Sequence, residues 1–319
     1  INDEYEYHFD EQGQPSHISR KKHMRSFELI EELMLLTNSI VAHYFVSQTK
    51  NSVLRDYAIL RNHKSPSTQR LGEFEKYCQE VAKVQLVDTS HVSTLNRAIH
   101  SIYEQNNQLG ALLFYQVRRV MNHADYVRFS TLHTNTNNNN GVDSSQMQFD
   151  SDMYHYGLNM PCYTHFTSPI RRYSDLMAHR LLSSLVCSTP FPHTPEQVDQ
   201  ILSVCNKKRL DAKRVEEMSQ KVFLTDVLSN SVQQHKERGI ICGLNQKNLI
   251  VYFPGINSEL RVPFEDIQSL VKKRTHKRKE KKIVISWIDE NAPCTTFSML
   301  DTVECVLYAK ESSEGQIEI

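Results

Sequence analysis

The 319-residue sequence lacks most features that would assign it directly to a function class. It has only nine glycines and contains neither a GxGxxG nor a Walker motif, which argues against a nucleotide-cradling loop. Its cysteines are scattered, odd in number and never form CxxC; they are Cys78, Cys162, Cys187, Cys205, Cys242, Cys294 and Cys305. This pattern predicts the reduced thiols of a cytosolic protein and argues against a disulfide framework or a zinc site.

The chain also lacks net charge and a hydrophobic segment of obvious membrane-spanning length. Thirty-seven basic and 37 acidic residues cancel, so any nucleic-acid-binding surface must be local. No apolar run approaches the ~20 residues of a membrane span, and the acidic start at Ile1 has no initiating methionine and no apolar signal core. We therefore expect an internal piece of a longer protein that is cytoplasmic, monomeric and not membrane-bound.

Hydrophobic periodicity divides the chain into a helix-rich part and a β-rich part. Apolar residues recur every three or four positions at 26–48, 71–83, 88–103 and 109–123, and two further helices are expected between 196 and 230. Residues 60–66 are predicted to be a loop. From about residue 236 short β-type runs follow one another, as in a small OB barrel. The predicted fold class is α+β, with a helix-rich domain at 1–232 and an all-β OB barrel at 233–319.

The most informative segment surrounds two adjacent arginines, Arg171 and Arg172, which follow a Ser168-Pro169 turn. Proline suits the first turn of a helix, so we expect a helix beginning there with Thr167 or Ser168 as its cap. Guanidinium groups beside the N–H groups of a helix start would hold a phosphate. The alternative is that both arginines lie on an ordinary solvated face.

Metal-binding residues are not evident in this sequence. Asp150 and Asp152 adjoin an asparagine-rich stretch at 134–148 that is predicted to be a mobile insertion, and Glu216 and Glu217 suit surface ion pairs. The histidines at 155 and 165 match no zinc spacing. We therefore assign no metal ligand to this chain.

Aromatic and basic residues suggest contacts with a polynucleotide. Tyr156, Tyr163, Phe166 and Tyr173 could stack on bases, although each taken alone is typical of a core. Residues 272–282 contain eight lysines or arginines in eleven positions. A solvated loop between barrel strands or a nuclear-localisation signal would explain this run, but a basic loop of the OB barrel that contacts RNA is favoured. The residues assigned to that contact are Lys272, Lys273, Arg274, Lys277 and Arg278.

The segment 163–173, Tyr-Thr-His-Phe-Thr-Ser-Pro-Ile-Arg-Arg-Tyr, resembles the hallmark of the ribonuclease II/R (RNB) family of 3′-to-5′ exoribonucleases. Residues 26–38, 60–66 and 155–158 also resemble family segments. Residues 205–219 and 284–298 look like the Dis-three-like exonuclease 2 branch. One departure is Tyr126-Val-Arg-Phe-Ser130, where the family has a glycine.

The resemblance implies a function and assigns roles to individual residues. Arg171 would contact the phosphate next to the scissile bond, with Arg172, Tyr173 and Asp175 in support, and Tyr156, His165 and Ser168 would contribute to RNA binding. Aspartates upstream of this chain would hold Mg²⁺ or Mn²⁺, and the barrel would be an S-one-type OB domain. The intact protein would hydrolyse single-stranded RNA, often 3′-uridylated, processively to nucleoside monophosphates in cytoplasmic RNA decay.

Two other functions remain open at this point. A degenerate family member could bind RNA and regulate messages without cutting them. The chain could also be a structural fragment that binds a protein partner. If the exoribonuclease interpretation is correct, the intact protein is an enzyme, whereas the isolated chain is expected to be inactive.

Overall fold

The structure of the chain is a computed structural model. It describes residues 5–21, 24–48, 51–86, 89, 91–133, 153–230, 235–265, 271–277, 282–289, 293–307, 309–311 and 317–318. The asparagine-rich stretch, Asp150, Asp152 and Arg278 lie outside these ranges, so the structure does not bear on the predictions made for them.

The first 230 residues are mainly helical. A hairpin of β1 and β2 precedes α1, and a second short ladder joins β3 to β4 antiparallel. The elements in order are β1 Tyr5–Phe9, β2 Pro15–Arg20, α1 Arg25–Val46, α2 Ser52–Asp56, β3 Ile59–Asn62, α3 Thr68–Tyr77 with a π-turn at Cys78–Ala82, α4 Val92–Gln105, α5 Asn107–Val120, β4 Asp125–Arg128, α6 Phe129–His133, α7 Tyr173–Cys187 and α8 Pro195–Asn230.

The predictions for residues 60–66 and 196–230 differ from the structure. The segment 60–66 is a loop only from His63 onward, because the residues before it form β3, in which Leu60 pairs with Val127 of β4. Ile59 and Leu60 are buried, and this burial favours a strand over a solvated loop. The region 196–230 is one 36-residue helix rather than two, since it contains no glycine or proline that would interrupt it.

Helix α1 packs into the core only through its C-terminal half. Ala42, Phe45 and Val46 join a cluster that includes Leu60 and Leu181, whereas residues 25–34 are exposed throughout. Contrary to the expectation from sequence, α1 is long and apolar enough to cross a membrane, with a mean hydropathy of 1.3 over an 18-residue window. A single such helix near an N-terminus is weak evidence for a span.

The last part of the chain is an all-β unit. Two antiparallel sheets, in the orders β11-β5-β6-β7 and β10-β9-β8, share a core that includes Ile241, Phe253, Ile283 and Ile285. The strands are β5 His235–Leu244, β6 Asn248–Phe253, β7 Ser258–Pro263, β8 Val271–Lys277, β9 Lys282–Trp287, β10 Thr295–Ser298, β11 Thr302–Leu307, β12 Lys310–Glu311 and β13 Ile317–Glu318. A helix-rich part followed by a small β unit confirms the predicted α+β class; the boundary at 232/233 stays a prediction.

The basic run was expected to be a loop, and this is wrong for its first half. Residues 271–277 form the edge strand β8, which pairs with β9 from Val271–Trp287 to Lys277–Lys282. Cross-strand partners share a face of a sheet, so Arg274, opposite the buried Ile285, lies on the core side. Lys273, Thr275 and Lys277 lie on the other face, and edge lysines of this kind discourage pairing with a further strand.

Helix α8 connects the helical part to the β unit. Near its start, Val198 and Leu202 pack against a cluster that includes Met177 of α7. In its last turns, Leu224 and Leu228 join the core of the β unit. One continuous helix therefore contributes to the packing of both parts.

Candidate active site

The arginine-containing segment is anchored to β3 at its beginning. The backbone N–H of Arg61 donates to the carbonyl oxygen of Tyr163 at 2.7 Å, and the hydroxyl of Thr164 donates to the carbonyl oxygen of Ile59 at 2.6 Å. Tyr163 and Thr164 are both buried. The segment therefore leaves the core from a fixed position.

Asn38, a buried polar residue of α1, holds the next residues. Its amide nitrogen donates to the hydroxyl of Tyr163 at 2.8 Å, while its amide oxygen accepts the backbone N–H groups of Phe166 at 2.9 Å and Thr167 at 3.2 Å. Two of these three hydrogen bonds satisfy backbone donors that a loop would otherwise leave unpaired. Sequence reasoning did not single out Asn38, although it closes the family-like stretch 26–38.

Residues 168–171 form a turn that precedes α7. The carbonyl oxygen of Ser168 accepts the backbone N–H groups of Arg171 at 3.3 Å and Arg172 at 3.1 Å. Helix α7 begins at Tyr173 with Arg172 as its N-cap residue, and no side chain caps it. The prediction of a helix beginning at the proline and capped by Thr167 or Ser168 is therefore wrong.

The turn is held by Asp175 in the first turn of α7. This carboxylate is fully buried, and its Oδ2 atom accepts the backbone N–H of Ser168 at 2.9 Å. The same oxygen accepts Nε of Arg172 at 3.1 Å and Nη2 at 2.7 Å, while Oδ1 accepts the hydroxyl of Ser174 at 3.3 Å. A buried carboxylate with four donors is well compensated and fixes the path of the turn.

The two adjacent arginines differ in their environment. The guanidinium of Arg172 forms an ion pair with Asp175, and the Arg172 side chain is 21% exposed. Arg171 is exposed, and its side chain makes no hydrogen bond or ion pair with any residue that the structure describes. Arg171 is thus the guanidinium available for an external anion, whereas Arg172 also has an internal structural role.

His165 lies among several cationic side chains. Its Nδ1 atom is 2.7 Å from the hydroxyl of Tyr126, whose ring is covered by the guanidinium of Arg61 at 4.4 Å from the centroid. Burial, followed by the charges of Arg172 and Arg61, lowers the pKa of His165 to about 2. The imidazole is therefore neutral at physiological pH, so one ring nitrogen can donate a hydrogen bond and the other can accept one.

Arg61 is itself an unusual feature of this site that the sequence did not reveal. Its side chain is 4% exposed, and burial, followed by the nearby charge of Arg209, lowers its pKa to about 10. Arg209 donates to the carbonyl oxygen of Ala124 at 2.6 Å. Arg61, Arg172 and Arg209 give this side of the segment a concentrated positive charge, although the whole chain has no net charge.

Of the two tyrosines predicted to contact RNA, Tyr173 is exposed and Tyr156 is buried. Tyr173 is 47% exposed, although the guanidinium of Arg180 lies over its ring at 5.9 Å from the centroid. Tyr156 is 4% exposed, and its hydroxyl donates to the carbonyl oxygen of Thr89 at 3.3 Å. This burial argues against the predicted contact of Tyr156 with RNA, because a base cannot stack on a ring enclosed by the core.

One stacked ring pair was missed in the sequence. Phe166 stacks on His179 of α7 with ring centroids 3.8 Å apart, and the histidine's Nε2 is 2.9 Å from the carbonyl oxygen of Phe166. The pair fastens the middle of the segment to α7. Their spacing of 13 residues gives no local signal from which it could have been found.

The predicted site residues therefore fall into two groups. His165, Ser168, Arg171, Arg172 and Tyr173 come together along the segment between α1 and α7. The second group lies on β8 of the β unit, where Lys272, Lys273, Arg274 and Lys277 are exposed. The guanidinium of Arg274 covers the ring of Phe264 at 4.5 Å, so this residue also packs.

Comparison with protein-family models identifies the fold family. A model described as the RNB domain matches residues 1–187, which is more than half of the chain. The chain belongs to the RNB-domain family. The motif that surrounds Arg171 lies inside the matched RNB region.

Individual relatives of this RNB chain include nucleases and a pseudonuclease. DIS3-like exonuclease 2 of Xenopus tropicalis is 30% identical over 240 residues, which is 74% of this chain but 26% of that protein. Mycoplasma genitalium RNase R, solved in complex with ribose methylated single-stranded RNA, superposes with a TM-score of 0.66 and 20% identity. It matches 98% of this chain and 43% of the RNase R chain. Yeast Ssd1, a pseudonuclease, superposes with a TM-score of 0.68 and 23% identity over 83% of this chain and 30% of its own.

RNB nucleases generally use a divalent metal ion, and the residues that the structure describes do not fit such a site. Across the described ranges, no group of three or more His, Cys, Asp or Glu side chains could hold a metal ion. Asp175, the buried acid nearest to Arg171 in sequence, already accepts four donors. The described residues therefore provide positive charge but no metal cluster.

Proposed function

We propose that this chain is the C-terminal part of an RNB catalytic domain followed by an S-one-type OB barrel. The intact protein would be a metal-dependent 3′-to-5′ exoribonuclease that releases nucleoside monophosphates processively from single-stranded RNA. The observation that carries this proposal is the exposed guanidinium of Arg171, which has no partner among the described residues, on a turn whose anchors, Asn38 and Asp175, are both buried. The matched family and the RNA-bound RNase R structure support RNA as the ligand.

Arg171 would act on the phosphate at the site of cleavage. A phosphodiester accumulates negative charge on its oxygens as it is attacked, and a rigid fork of donors can satisfy two of those oxygens together. Because the turn is fixed before RNA binds, little reorganisation opposes this stabilisation in the transition state. Arg172 would steady both the turn and the adjoining RNA backbone.

The OB unit would guide the strand toward this site. The outward face of β8 carries Lys273 and Lys277, which suits contact with a phosphate backbone without base preference. Tyr173 would stack on a base near the cleavage site. We further propose that the protein is monomeric, acts in cytoplasmic RNA decay and accepts 3′-uridylated RNA.

A rival proposal is an RNA-binding pseudonuclease. It is favoured by the likeness to Ssd1, whose structure is described as that of a pseudonuclease, and by the lack of a metal cluster among the described residues. In that case Arg171 would contribute to binding alone. The two functions therefore differ in whether loss of Arg171 affects turnover or affinity.

The test compares Arg171→Ala, Arg171→Lys and wild type in the full-length protein. We expect single-turnover cleavage of a 3′-labelled single-stranded RNA to fall by about 100-fold or more in Arg171→Ala, as for loss of one oxyanion donor, with binding changed by less than about 5-fold. Arg214→Ala removes an exposed arginine of α8 and serves as the control. Equal losses in turnover and binding would contradict the catalytic role, and wild type that binds RNA without cleaving it would support the pseudonuclease.

A further inference from the structure

Two stretches to which the sequence assigned no functional role meet at Tyr126. One is the departure from the family pattern at 126–130, and the other is the stretch 205–219 on α8. The amide oxygen of Asn206 accepts the backbone N–H of Tyr126 at 2.8 Å, and its amide nitrogen donates to the carbonyl oxygen of Tyr126 at 2.9 Å. A single side chain of α8 thus pairs with both backbone groups of Tyr126, as a neighbouring strand would, and holds this residue in place.

The ring of Tyr126 is held from the opposite strand by Arg61. The two residues are paired between β3 and β4, so their side chains lie on the same face of this ladder. The guanidinium of Arg61 lies over the ring at 4.4 Å from its centroid, and both side chains are buried. A cation on the ring face draws electron density from the phenol, which makes its O–H a stronger hydrogen-bond donor and its oxygen a weaker acceptor.

The hydroxyl of this fixed tyrosine meets one nitrogen of His165, at 2.7 Å from Nδ1. A neutral imidazole has one nitrogen that donates and one that accepts, and the partner of one nitrogen decides the state of the other. Burial, followed by the charges of Arg172 and Arg61, lowers the pKa of His165 to about 2, so the ring is neutral. With a phenol donor at Nδ1, the ring proton lies on Nε2.

The Nε2 atom of His165 is available to an external partner. It makes no hydrogen bond with any residue that the structure describes, and it is not one of the enclosed polar atoms that lack a partner, so it reaches solvent. The nearby His63 differs, because its Nε2 lies 2.8 Å from the carbonyl oxygen of Asn122 and its Nδ1 accepts the N–H of Gly157 at 3.0 Å. His63 uses both nitrogens to support the fold, whereas His165 uses only one.

We propose that Tyr126 is a positioning residue that keeps His165 in the Nε2–H form, so that this N–H donates to a phosphate oxygen of bound RNA. This inference rests on the proposed function, in which the RNA backbone lies along the segment that contains His165 and Arg171. An uncharged N–H adds a directed hydrogen bond where the arginines already supply charge, and a neutral imidazole can stabilise an anionic oxygen. Asn206 and Arg61 hold Tyr126, and Tyr126 orients the donor.

The first measurement determines which nitrogen of His165 is protonated in the 319-residue chain without RNA. Long-range proton–nitrogen NMR of the chain with isotope-labelled histidines distinguishes the two forms, and His165→Gln assigns the signal. We expect the Nε2–H form in wild type and a mixture of forms in Tyr126→Phe. The control Tyr44→Phe changes an exposed tyrosine of α1 and should match wild type. Asn206→Ala should shift the ratio in the same direction as Tyr126→Phe, and circular dichroism checks that each variant is folded.

The second measurement adds a short oligouridylate or its 2′-deoxy counterpart. We expect both to move the Nε2–H signal of His165, because phosphate oxygens are common to the two. Tyr126→Phe should bind each oligonucleotide about 5-fold more weakly than wild type, as for loss of one neutral hydrogen bond, and Tyr44→Phe should bind as wild type does. A tyrosine that only packs would leave the protonated nitrogen and the response of Nε2–H unchanged.

Three results would overturn the proposal. These are a wild-type ring protonated on Nδ1, an unchanged protonation form in Tyr126→Phe, or RNA binding that leaves the Nε2–H signal unmoved. A response to the ribose form alone would overturn the phosphate assignment and identify a 2′-hydroxyl as the acceptor. Neither measurement requires cleavage, so a full-length protein that binds RNA without cutting it would refute the exoribonuclease and leave the role of Tyr126 intact.

Discussion

Arg172 and Asp175 form an ion pair in which Nε and Nη2 of the arginine, at 3.1 and 2.7 Å, converge on a single oxygen of a fully buried carboxylate. That oxygen also accepts the backbone N–H of Ser168, so one atom joins the first turn of α7 to the turn before it. The neighbouring Arg171 takes no part in this arrangement. Two adjacent residues of the same type thus perform separate tasks.

This separation predicts that two alanine substitutions change the free energy of unfolding by very different amounts. Arg172→Ala leaves a buried carboxylate without its cationic partner, and we expect a loss of about 3 kcal/mol in the free energy of unfolding. Arg171→Ala removes an exposed side chain without a described partner and should change stability by less than about 0.5 kcal/mol. Urea denaturation of the isolated chain measures both. Equal stabilities would show that the ion pair does not hold the turn.

Asn38→Ala should weaken the support of the segment. It leaves the N–H groups of Phe166 and Thr167 unpaired in a partly buried site, for which we expect a loss of about 2–4 kcal/mol. The control Thr37→Ala changes the adjacent, exposed residue of the same helix. Hydrogen exchange of residues 163–167 should accelerate in Asn38→Ala alone; unchanged exchange there would contradict the role of this side chain.

The buried histidines predict a loss of stability on acidification. Burial, followed by the charges of Arg172 and Arg61, lowers the pKa of His165 to about 2; burial, followed by His63, lowers that of His155 to about 3. Below pH 6.5 the unfolded chain binds protons on both rings and the folded chain does not, so stability is full above pH 6.5 and decreases as pH falls. Between pH 7.5 and 5.5 each ring should account for at most about 1.4 kcal/mol.

The variant His165→Gln tests this dependence. We expect its unfolding free energy to decrease less than that of wild type between the two pH values, by about 1 kcal/mol, because one titrating ring is absent. His91→Gln removes an exposed histidine and should follow wild type. A wild-type stability that is independent of pH over this range would contradict the lowered pKa values.

Strand β8 predicts a salt-dependent contribution to RNA binding. Removing one phosphate contact by Lys273→Ala should reduce the slope of log affinity against log salt by about 0.7, as for single-stranded nucleic acids. Lys76→Ala, which removes an exposed lysine of α3, is the matched control. Fluorescence anisotropy with a labelled oligonucleotide at four salt concentrations gives the slopes. If both variants retain the wild-type slope, Lys273 does not contact the RNA backbone.

The two tyrosines predicted to bind RNA should respond differently. Tyr173→Ala removes an accessible ring, and affinity for single-stranded RNA should decrease by about 5-fold or more if one base stacks there. Tyr156→Phe removes a hydroxyl inside the core and should leave RNA affinity unchanged. The same anisotropy measurement distinguishes these outcomes. A comparable loss in both variants would indicate that the buried ring becomes accessible when RNA binds.

How much of the fold could be predicted depends on how local its causes are. The long amphipathic pattern of α1 and the short β runs after residue 236 depend on neighbouring residues, and the α+β class was predicted from them; the RNB family was predicted from the continuous motif at 163–173. The start of α7 depends on Asp175 drawing in the backbone of Ser168 seven residues earlier, which no local capping rule anticipates. The strand character of β8 depends on pairing with Ile283 and Ile285 of β9, whereas its own lysines are typical of a solvated loop.

For the candidate site, too, the local part was predictable from the sequence and the long-range part was not. The motif around Arg171 is continuous in sequence and directs attention to the correct segment. Asn38, Arg61 and His179 contribute from distant elements, and only the folded chain shows that they surround it. The assignment of Tyr156 to RNA contact was made from residue type alone, and its burial could not be deduced from the motif.

The uninterrupted α8 has a consequence for the path of the RNA. Its first turns belong to the packing around α7 and its last turns to the core of the β unit, so its 36 residues, together with the packing of α5 on the β unit, contribute to the arrangement of Arg171 and β8. At 1.5 Å and 100° per residue, inserting a single alanine in its middle would shift the helix beyond the insertion by only about 1.5 Å but rotate it by about 100° around the helix axis. If the proposed function holds, the length of this helix therefore sets which side of the β unit faces Arg171.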